Sequence, residues 1–278
     1  MDNPTLNNIS KAIYAAFGIK INSLTRTLIM GKESVTSNST STDSTTLKGL
    51  AYYELRIYNF KNEKQQELIE DFYSLAIPVI NNLGVEKVGV FKQLEPTLPG
   101  KLYVLLTYKS LEHFSEVNEA LDNDQDFQKS AAAYLNAPFN EPAYERIETS
   151  LMKAFKNFPN VVAPANQPRI FELRQYQSPS DAAGKKKIEM FNDEGEIEIF
   201  KRLQFDPVFW GETIIGPERP NLTYMLTFND LADKDVKWSN FMEDGEWKEL
   251  SSLPEFSNDL LINLITSTLL IPTASSQI

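Results

Sequence analysis

The chain has 278 residues, 42% of them hydrophobic, and 38 acidic against 27 basic side chains give a formal net charge of −11. This hydrophobic content excludes general disorder, the acidic excess disfavours nucleic-acid binding, and the apolar stretches are too short for a transmembrane helix. With no Cys and a single His, the sequence excludes disulfides, cysteine-ligated metals and two-histidine metal motifs, so we expect no metal and no resident cofactor.

The first fifty residues form a region of their own. Residues 37–46 read SNSTSTDSTT, which predicts a flexible linker. Upstream, the chain has no acidic residue between Asp2 and Glu33, and apolar residues recur at helical spacing: Ile13, Phe17, Leu24 and Leu28. Such a start is typical of an organellar transit peptide or a membrane-surface helix, and an unstructured extension is the alternative. We expect a cytoplasmic protein, with export or organelle targeting through this tail as the alternatives.

The rest of the chain contains an internal repeat. Four segments occur twice in the same order, at offsets of about 117 to 120: YELRIY (53–58) and FELRQY (171–176), LGVEKVGVF (83–91) and LQFDPVFWG (203–211), LYVLLTY (102–108) and LTYMLTF (222–228), IETSLM (147–152) and LITSTLL (264–270). Agreement in order and spacing indicates a tandem duplication. We therefore divide the chain into a tail (1–50), a first repeat (51–158) and a second repeat (159–278).

In the first repeat, YELRIY alternates apolar and polar residues and predicts a strand. The residues that follow predict a helix with Asn62 as its N-cap and Gly84 just past its end. Its predicted apolar stripe consists of residues at helical spacing: Leu68, Phe72, Leu75 and Val79. Pro78 is expected to kink or split this helix, because proline removes a hydrogen-bond donor and clashes one turn back.

In the second repeat, the corresponding helix is predicted to start after Ser178, with Pro179 at its first position. Its apolar stripe is predicted from residues farther along: Ile188, Phe191, Ile199 and Leu203. The triplet Lys185–Lys187 lacks the strand and Gly-rich turn of a phosphate-binding loop, so we interpret it as a solvated helix face.

Each repeat continues with two strands, a helix, a shorter helix and a last strand. The order β-α-β-β-α-β is the ferredoxin-like arrangement, so the predicted class is α+β, with helices on one face of an antiparallel sheet. An uncovered apolar sheet face is an association site. Two repeats in one chain therefore predict that the two sheets face each other and close an intramolecular α/β barrel.

The first strand of each repeat carries a Glu-x-Arg-x-Tyr pattern. Alternation along a strand places each set on one face: Glu54, Arg56 and Tyr58 in the first repeat, Glu172, Arg174 and Tyr176 in the second. We predict that these polar faces line the barrel interior and that the opposite face, with Tyr53, Leu55 and Ile57, packs against the helices. Thr107 and Thr227 are expected to point into the same interior, for packing or as additional hydroxyl groups.

Three interpretations of the Glu-x-Arg-x-Tyr pattern are open. The Glu and Arg can neutralise each other as buried partners, which buried charges require. They can instead form a ligand site, in which Arg anchors a carboxylate or enolate and Glu acts as a base. A surface salt bridge of little consequence is the third interpretation.

The single histidine, His113, lies just beyond a predicted strand in the sequence SLEHF. A histidine there can ligate haem or act as a general base. The second repeat has no histidine at the corresponding place. Because Glu112 and Glu116 flank it on a predicted helix, the alternative is a solvated or half-buried surface residue.

With ELRIY, LGVEKVGVF and LYVLLTYKSLEHF, and then FELRQY and GPERPNLTYMLTF in the same order, residues 51–272 resemble the NIPSNAP family, especially bacterial tandem members. The resemblance implies a fold of the dimeric α/β-barrel superfamily. That superfamily includes cofactor-free monooxygenases, isomerases and haem-degrading enzymes. The family has no established catalytic residue to transfer to this chain.

The functional expectation follows from the barrel and the resemblance together. The leading hypothesis is a protein that binds a small, partly apolar ligand or a protein partner. The alternatives are an enzyme of the monooxygenase, isomerase or haem-degrading type that uses the barrel interior, and a structural or assembly role without a ligand. We expect no nucleic-acid partner and no transmembrane segment, and homo-oligomerisation is compatible with the sequence.

Overall fold

The computed structural model describes residues 49–278. The linker and targeting predictions fall on the tail, which lies outside this range except for its last two residues. None of the helices formed by residues 49–278 combines the length and the apolar character needed to cross a bilayer.

Both repeats follow the predicted β-α-β-β-α-β order, but the second has two helices between its first two strands where one was predicted. The first contains β1 (Tyr52–Phe60), α1 (Glu63–Asn82), β2 (Val88–Gln93), β3 (Gly100–Tyr108), α2 (Leu111–Asn123), α3 (Gln125–Ser130), α4 (Ala132–Leu135) and β4 (Arg146–Ala154). The second contains β5 (Ile170–Gln177), α5 (Asp181–Asn192), α6 (Glu196–Arg202), β6 (Asp206–Ile215), β7 (Asn221–Phe228), α7 (Leu231–Glu243), α8 (Gly245–Ser252), a 3₁₀ turn (Pro254–Phe256), α9 (Asn258–Leu261) and β8 (Leu264–Pro272).

The eight strands form a closed barrel, as predicted. The first repeat contributes a sheet in the order β4-β1-β3-β2, and the second contributes β8-β5-β7-β6. Antiparallel pairing of β2 with β8 and of β4 with β6 joins the two sheets at both seams. Because closure leaves no free sheet edge, one chain completes the barrel by itself.

Helix α1 begins as predicted, but the predicted apolar stripe is only partly right. The Asn62 side chain accepts a hydrogen bond from the Gln65 backbone N–H, and Gly84 follows the helix with φ of +95°. The predicted stripe is wrong at Leu75, which is 47% exposed. The buried face of α1 consists of Gln65, Ile69, Phe72, Tyr73, Ala76, Ile77 and Ile80.

Two helix boundaries differ from the predictions. Of the two outcomes predicted at Pro78, a split does not occur, because helix α1 continues to Asn82. Pro78 is exposed, and so is Ser74 one turn before it, so water can hydrate the carbonyl that loses its donor. Helix α5 begins at Asp181 with Ser180 as its N-cap, which places Pro179 before the helix rather than at its first position.

Both faces of the sheet are buried. The barrel interior is packed with apolar side chains from both repeats, among them Tyr53, Leu55, Phe91, Met152, Phe171, Leu173, Phe209, Met225 and Leu270. The outer faces pack against the helices in two separate cores, one for each repeat. The interior is therefore filled largely by side chains, and the helix layers hold the polar groups of the first strands.

The predicted orientation of β1 and β5 is thus wrong. Tyr53 and Leu55 point into the barrel with Ile57 packed against the same cluster, and Tyr58 belongs to the core beneath the helices. By alternation, the remaining pattern residues face the helices too: Glu54, Arg56, Glu172, Arg174 and Tyr176. Alternation assigns residues to a common face, but it does not identify the face when helices cover one side and a second sheet the other.

Candidate functional site

Beneath the helices of the first repeat, Glu54 and Arg56 form a close ion pair. The Arg56 Nε and Nη2 atoms donate to Glu54 Oε1 at 2.6 Å and to Oε2 at 2.9 Å. The Tyr108 hydroxyl adds a third hydrogen bond to Oε2, at 2.9 Å. The Glu54 side chain is 5% exposed and that of Arg56 is 22% exposed. The geometry is that of mutually neutralising partners, with the arginine side reaching solvent.

A cluster of tyrosine hydroxyls lies beside this pair. The Tyr58 and Tyr73 hydroxyl oxygens are 2.8 Å apart, and Tyr134 donates to Tyr58 at 3.0 Å. Burial raises the pKa of each of the three phenols above its ordinary value. The cluster therefore stays protonated at neutral pH and supplies hydrogen-bond donors rather than bases.

A cavity of about 330 Å³ lies against these groups, between the sheet and helices α1, α2, α3 and α4. Its walls include Arg56, Tyr58, Phe72, Asn118, Gln128 and Tyr134. The rings of Phe72 and Tyr134 are stacked with their centroids 3.9 Å apart and form an aromatic wall. Within residues 49–278, the Nη1 atom of Arg56 makes no hydrogen bond, so its two N–H groups are available to a ligand.

The second repeat contains the corresponding ion pair. Arg174 Nη1 donates to Glu172 Oε1 at 2.8 Å, and Ser267 donates to the same oxygen at 2.7 Å. The Arg174 Nη2 atom lies 3.4 Å from the Tyr176 hydroxyl, which in turn lies 2.9 Å from the Tyr224 hydroxyl. The pattern residues of the second repeat are thus also brought together, although Arg174 donates one hydrogen bond to its glutamate where Arg56 donates two.

Trp238 covers the ion pair of the second repeat. Its indole Nε1 donates to Glu172 Oε2 at 2.7 Å, and the Cζ atom of Arg174 lies 4.5 Å from the centroid of its ring. This distance is that of a cation–π contact. The side chain of one residue on α7 therefore occupies the space above the Glu–Arg pair.

The first repeat has Asn118 at the position of Trp238. Helices α2 and α7 each have 13 residues and begin at Leu111 and Leu231, an offset of 120 that also relates β3 to β7. The same offset relates Asn118 to Trp238. The smaller side chain leaves the space above Arg56 open as the cavity, whereas the indole fills the space above Arg174.

The two threonines lie apart from these clusters. Both lie on the inward sheet face, opposite Tyr53 and Phe171, and so do not share a face with the Glu–Arg pairs as the prediction had it. Each hydroxyl bonds to a backbone carbonyl oxygen: Thr107 to Lys87 at 3.3 Å and Thr227 to Ile170 at 3.0 Å. Thr107 borders a different cavity, of about 370 Å³, together with Gly49 and Lys109.

His113 closes the end of helix α1. Its Nε2 atom lies 2.9 Å from the Leu83 carbonyl oxygen, and its Nδ1 atom accepts from the Lys109 backbone N–H at 3.2 Å. The carbonyl requires the proton on Nε2, so both ring nitrogens have partners. Haem ligation or base catalysis by His113 would break one of these bonds. Residues 49–278 contain no group of three or more His, Asp or Glu that could hold a metal ion.

The interpretation of the lysine triplet as a solvated face is wrong for Lys187. Its side chain is 1% exposed and lies 2.9 Å from Glu196 Oε2, whose residue is equally buried. Aromatic rings surround the ammonium group, with the Phe191 centroid 4.9 Å away. Lys185 is exposed, as expected. A buried lysine on a helix needs a partner from elsewhere in the fold, which the local sequence does not show.

Sequence reasoning missed several residues of the site: Tyr73, Phe72, Asn118, Gln128, Tyr134 and Trp238. All six lie on helices, where alternation along a strand gives no information. The difference between Asn118 and Trp238 could have been found by aligning the two repeats, because the offset of 120 places these residues at equivalent positions.

Comparison with known proteins shows where this fold occurs. The NIPSNAP family model matches twice, over residues 53–156 and 171–277. Among solved structures, the chain is similar to proposed monooxygenases from Lactobacillus acidophilus (10% identity, TM-score 0.54, covering 80% of this chain and 94% of that one) and Fusobacterium nucleatum (10% identity, TM-score 0.53, 81% and 93%). A NIPSNAP-like domain protein from Burkholderia xenovorans is 22% identical, with a TM-score of 0.35, and covers 40% of this chain and 90% of its own. No curated protein matches the sequence significantly.

Proposed function

The chain belongs to the NIPSNAP family, and from that premise we propose that its first repeat binds a small, partly apolar ligand in the cavity beside Arg56. One observation carries this proposal: Asn118 leaves open in the first repeat the space that Trp238 fills in the second. A protein whose two repeats needed only a packed core could carry the indole in both.

The size and lining of the cavity fit this class of ligand. A volume of about 330 Å³ is near the lower end of small-molecule sites. The walls combine apolar groups, such as Phe72 and Leu121, with polar groups that converge from the sheet and helices. Because Glu54 neutralises Arg56 while leaving the Nη1 atom free, the site can orient a hydrogen-bond acceptor without requiring a strongly charged ligand.

The proposal is binding rather than catalysis. The likeness to proposed monooxygenases, at 10% identity, is a likeness of fold alone. Glu54, the carboxylate paired with Arg56, accepts three hydrogen bonds and would have to give up some of them to act as a base.

Native mass spectrometry tests the proposal. The full chain is purified without denaturation, and its native mass is compared with its denatured mass, so that a bound molecule appears as the difference. We expect a small-molecule adduct on the wild type, and we expect it to be lost in Asn118→Trp, which copies the second repeat. The proposal would be contradicted if Asn118→Trp kept the adduct. It would also be contradicted if the wild type carried no adduct even after incubation with an extract of the native host.

The matched control is Asn240→Trp. Asn240 is exposed on the equivalent helix of the second repeat, away from the cavity. This variant adds the same side chain to the chain without filling the space beside Arg56. It should keep the adduct, and both variants should unfold with the cooperativity of the wild type.

A further inference from the structure

We infer that the ligand of the first-repeat cavity carries a flat aromatic ring that stacks on the Arg56 guanidinium group, together with a hydrogen-bond acceptor for Arg56 Nη1. This inference rests on the proposed function, because it names the class of molecule that the proposed site takes. The second repeat supplies the argument, since Trp238 occupies there the space that is open in the first.

Trp238 is held as a bound aromatic molecule would be. The Arg174 guanidinium lies against one face of its ring, with a distance of 4.5 Å from Cζ to the centroid. The rings of Phe200, Phe205 and Phe241 approach it edge-on, with centroids 5.2 to 5.8 Å away. Edge-to-face contacts and a cation on the ring face are the arrangements that aromatic rings prefer. The site of the second repeat is thus complementary to a flat ring.

The first repeat keeps the arginine of this place and has aromatic rings of its own beside it, although Leu121 stands at the position of Phe241. Arg56 occupies the same strand position as Arg174, and Thr149 lies opposite it on β4 as Ser267 lies opposite Arg174 on β8. The stacked rings of Phe72 and Tyr134 line the cavity. A flat ring entering beside Arg56 therefore meets a guanidinium group and an aromatic wall.

Two differences between the repeats define the polar part of the ligand. Tyr108, at the position of Phe228, donates to Glu54 Oε2 and so replaces the hydrogen bond that the Trp238 indole gives to Glu172. The ligand therefore needs no N–H group for the carboxylate. Arg56 binds Glu54 through Nε and Nη2, which leaves Nη1 to donate to the ligand. A carboxylate, phenolate or carbonyl oxygen on the ring satisfies that donor.

Isothermal titration calorimetry with two matched acids tests the inference. Phenylacetate and cyclohexylacetate have the same carbon skeleton and the same carboxylate, and only the first has a flat π-system. Indole-3-acetate is added as a soluble counterpart of the Trp238 side chain with an acceptor. We expect each acid to bind at one site. The two aromatic acids should bind more tightly than cyclohexylacetate by about fivefold or more, and none of the three should bind to Asn118→Trp. Leu121→Phe, which copies Phe241, narrows the cavity by a different substitution and should lower the affinity for all three acids.

The outcomes separate the ligand class from the site. Equal affinity for phenylacetate and cyclohexylacetate, lost for both in Asn118→Trp, would overturn the aromatic class and leave a small-molecule cavity in place. Aromatic preference that survives both Asn118→Trp and Leu121→Phe would place the ring elsewhere and overturn the inference. If the wild type carries a native-mass adduct that Asn118→Trp loses, but binds none of the three acids, the inferred class is wrong while the proposed function stands.

Discussion

The indole ring of Trp238 lies on the guanidinium group of Arg174, with 4.5 Å between Arg174 Cζ and the ring centroid, and donates a hydrogen bond to the carboxylate that Arg174 neutralises. The same Glu–Arg pair in the first repeat has no such cover, because α2 carries Asn118 at that position. Two copies of one unit have thus kept a buried ion pair and diverged at the residue above it. One site is closed by the protein itself, and the other is open.

Removing the arginine of the first repeat should destabilise the fold. Arg56→Ala leaves the Glu54 carboxylate buried with a single remaining hydrogen bond, from Tyr108. We expect a loss of about 3 kcal/mol in the free energy of unfolding, measured by urea denaturation, which is typical when one partner of a buried pair is removed. A loss below about 1 kcal/mol, the range of exposed pairs, would show that the pair does not behave as buried.

A double variant provides the control for this prediction. Glu54→Gln combined with Arg56→Met removes both charges and keeps most of the side-chain volume. It should recover a substantial part of the stability that Arg56→Ala loses, because the cost comes from an uncompensated charge. A double variant as unstable as Arg56→Ala would trace the loss to packing instead.

Opening the second repeat should also cost stability. Trp238→Asn copies the first repeat and removes the ring from Arg174 and from the surrounding phenylalanines. We expect a loss of about 3 kcal/mol, the low end for truncation of a tryptophan. Trp238→Phe keeps a six-membered ring and loses the hydrogen bond to Glu172 and part of the ring contact, so we expect a smaller loss of about 1.5 kcal/mol. Equal losses in the two variants, measured by chemical denaturation, would argue that the ring contact contributes little.

His113 should act as a structural residue. Its Nε2 atom bonds to the Leu83 carbonyl at the end of α1, so His113→Ala should cost about 1 kcal/mol of stability. In a haemin titration followed by absorbance, we expect no Soret shift that depends on His113. A Soret shift in the wild type that disappears in His113→Ala would instead support the haem hypothesis.

The cap of helix α8 gives a prediction about pH. Two hydrogen bonds from Arg202 and one from the Trp247 backbone N–H lower the pKa of Asp244 to about 2. A carboxyl group whose pKa is lower in the folded state stabilises the fold above its ordinary pKa of 3.8, and this contribution is lost as the pH falls towards about 2.

The corresponding variant is Asp244→Asn, which keeps an oxygen for the helix cap and removes the charge. Its melting temperature should lie a few degrees below that of the wild type at neutral pH, because the ion pair with Arg202 is exposed and contributes modestly. The difference should shrink as the pH is lowered through the acid range. A difference that stays constant down to about pH 2 would show that the charge is not responsible.

The architecture was predictable because the chain repeats itself. Segments such as YELRIY and FELRQY fixed the strand positions and their order, and the need to cover two apolar sheet faces led to the closed barrel. The orientation of the first strands was not predictable from alternation. Glu54 and Tyr53 lie on opposite faces of the strand and are both buried, at 4% and 0% exposure. The degree of burial therefore does not indicate which face meets the helices.

The candidate site was predicted only in part. The sequence brought Glu54, Arg56 and Tyr58 together on one face, and the structure places them on one cavity. The partners from the helices, Tyr73 and Tyr134, depend on tertiary packing that no local pattern encodes. The prediction that Lys187 is solvated was wrong for the same reason, because its partner Glu196 comes from the next helix and aromatic rings surround the lysine.

The most direct test of the open and closed sites is a crystal structure of the wild-type protein soaked with indole-3-acetate. We expect electron density for the ligand in the first repeat only, with its ring on Arg56, its carboxylate within hydrogen-bond distance of Nη1, and Trp238 unmoved on Arg174. Ligand density inside the barrel, beside Arg174 or at any other place, with none beside Arg56, would show that the first-repeat cavity is not the binding site.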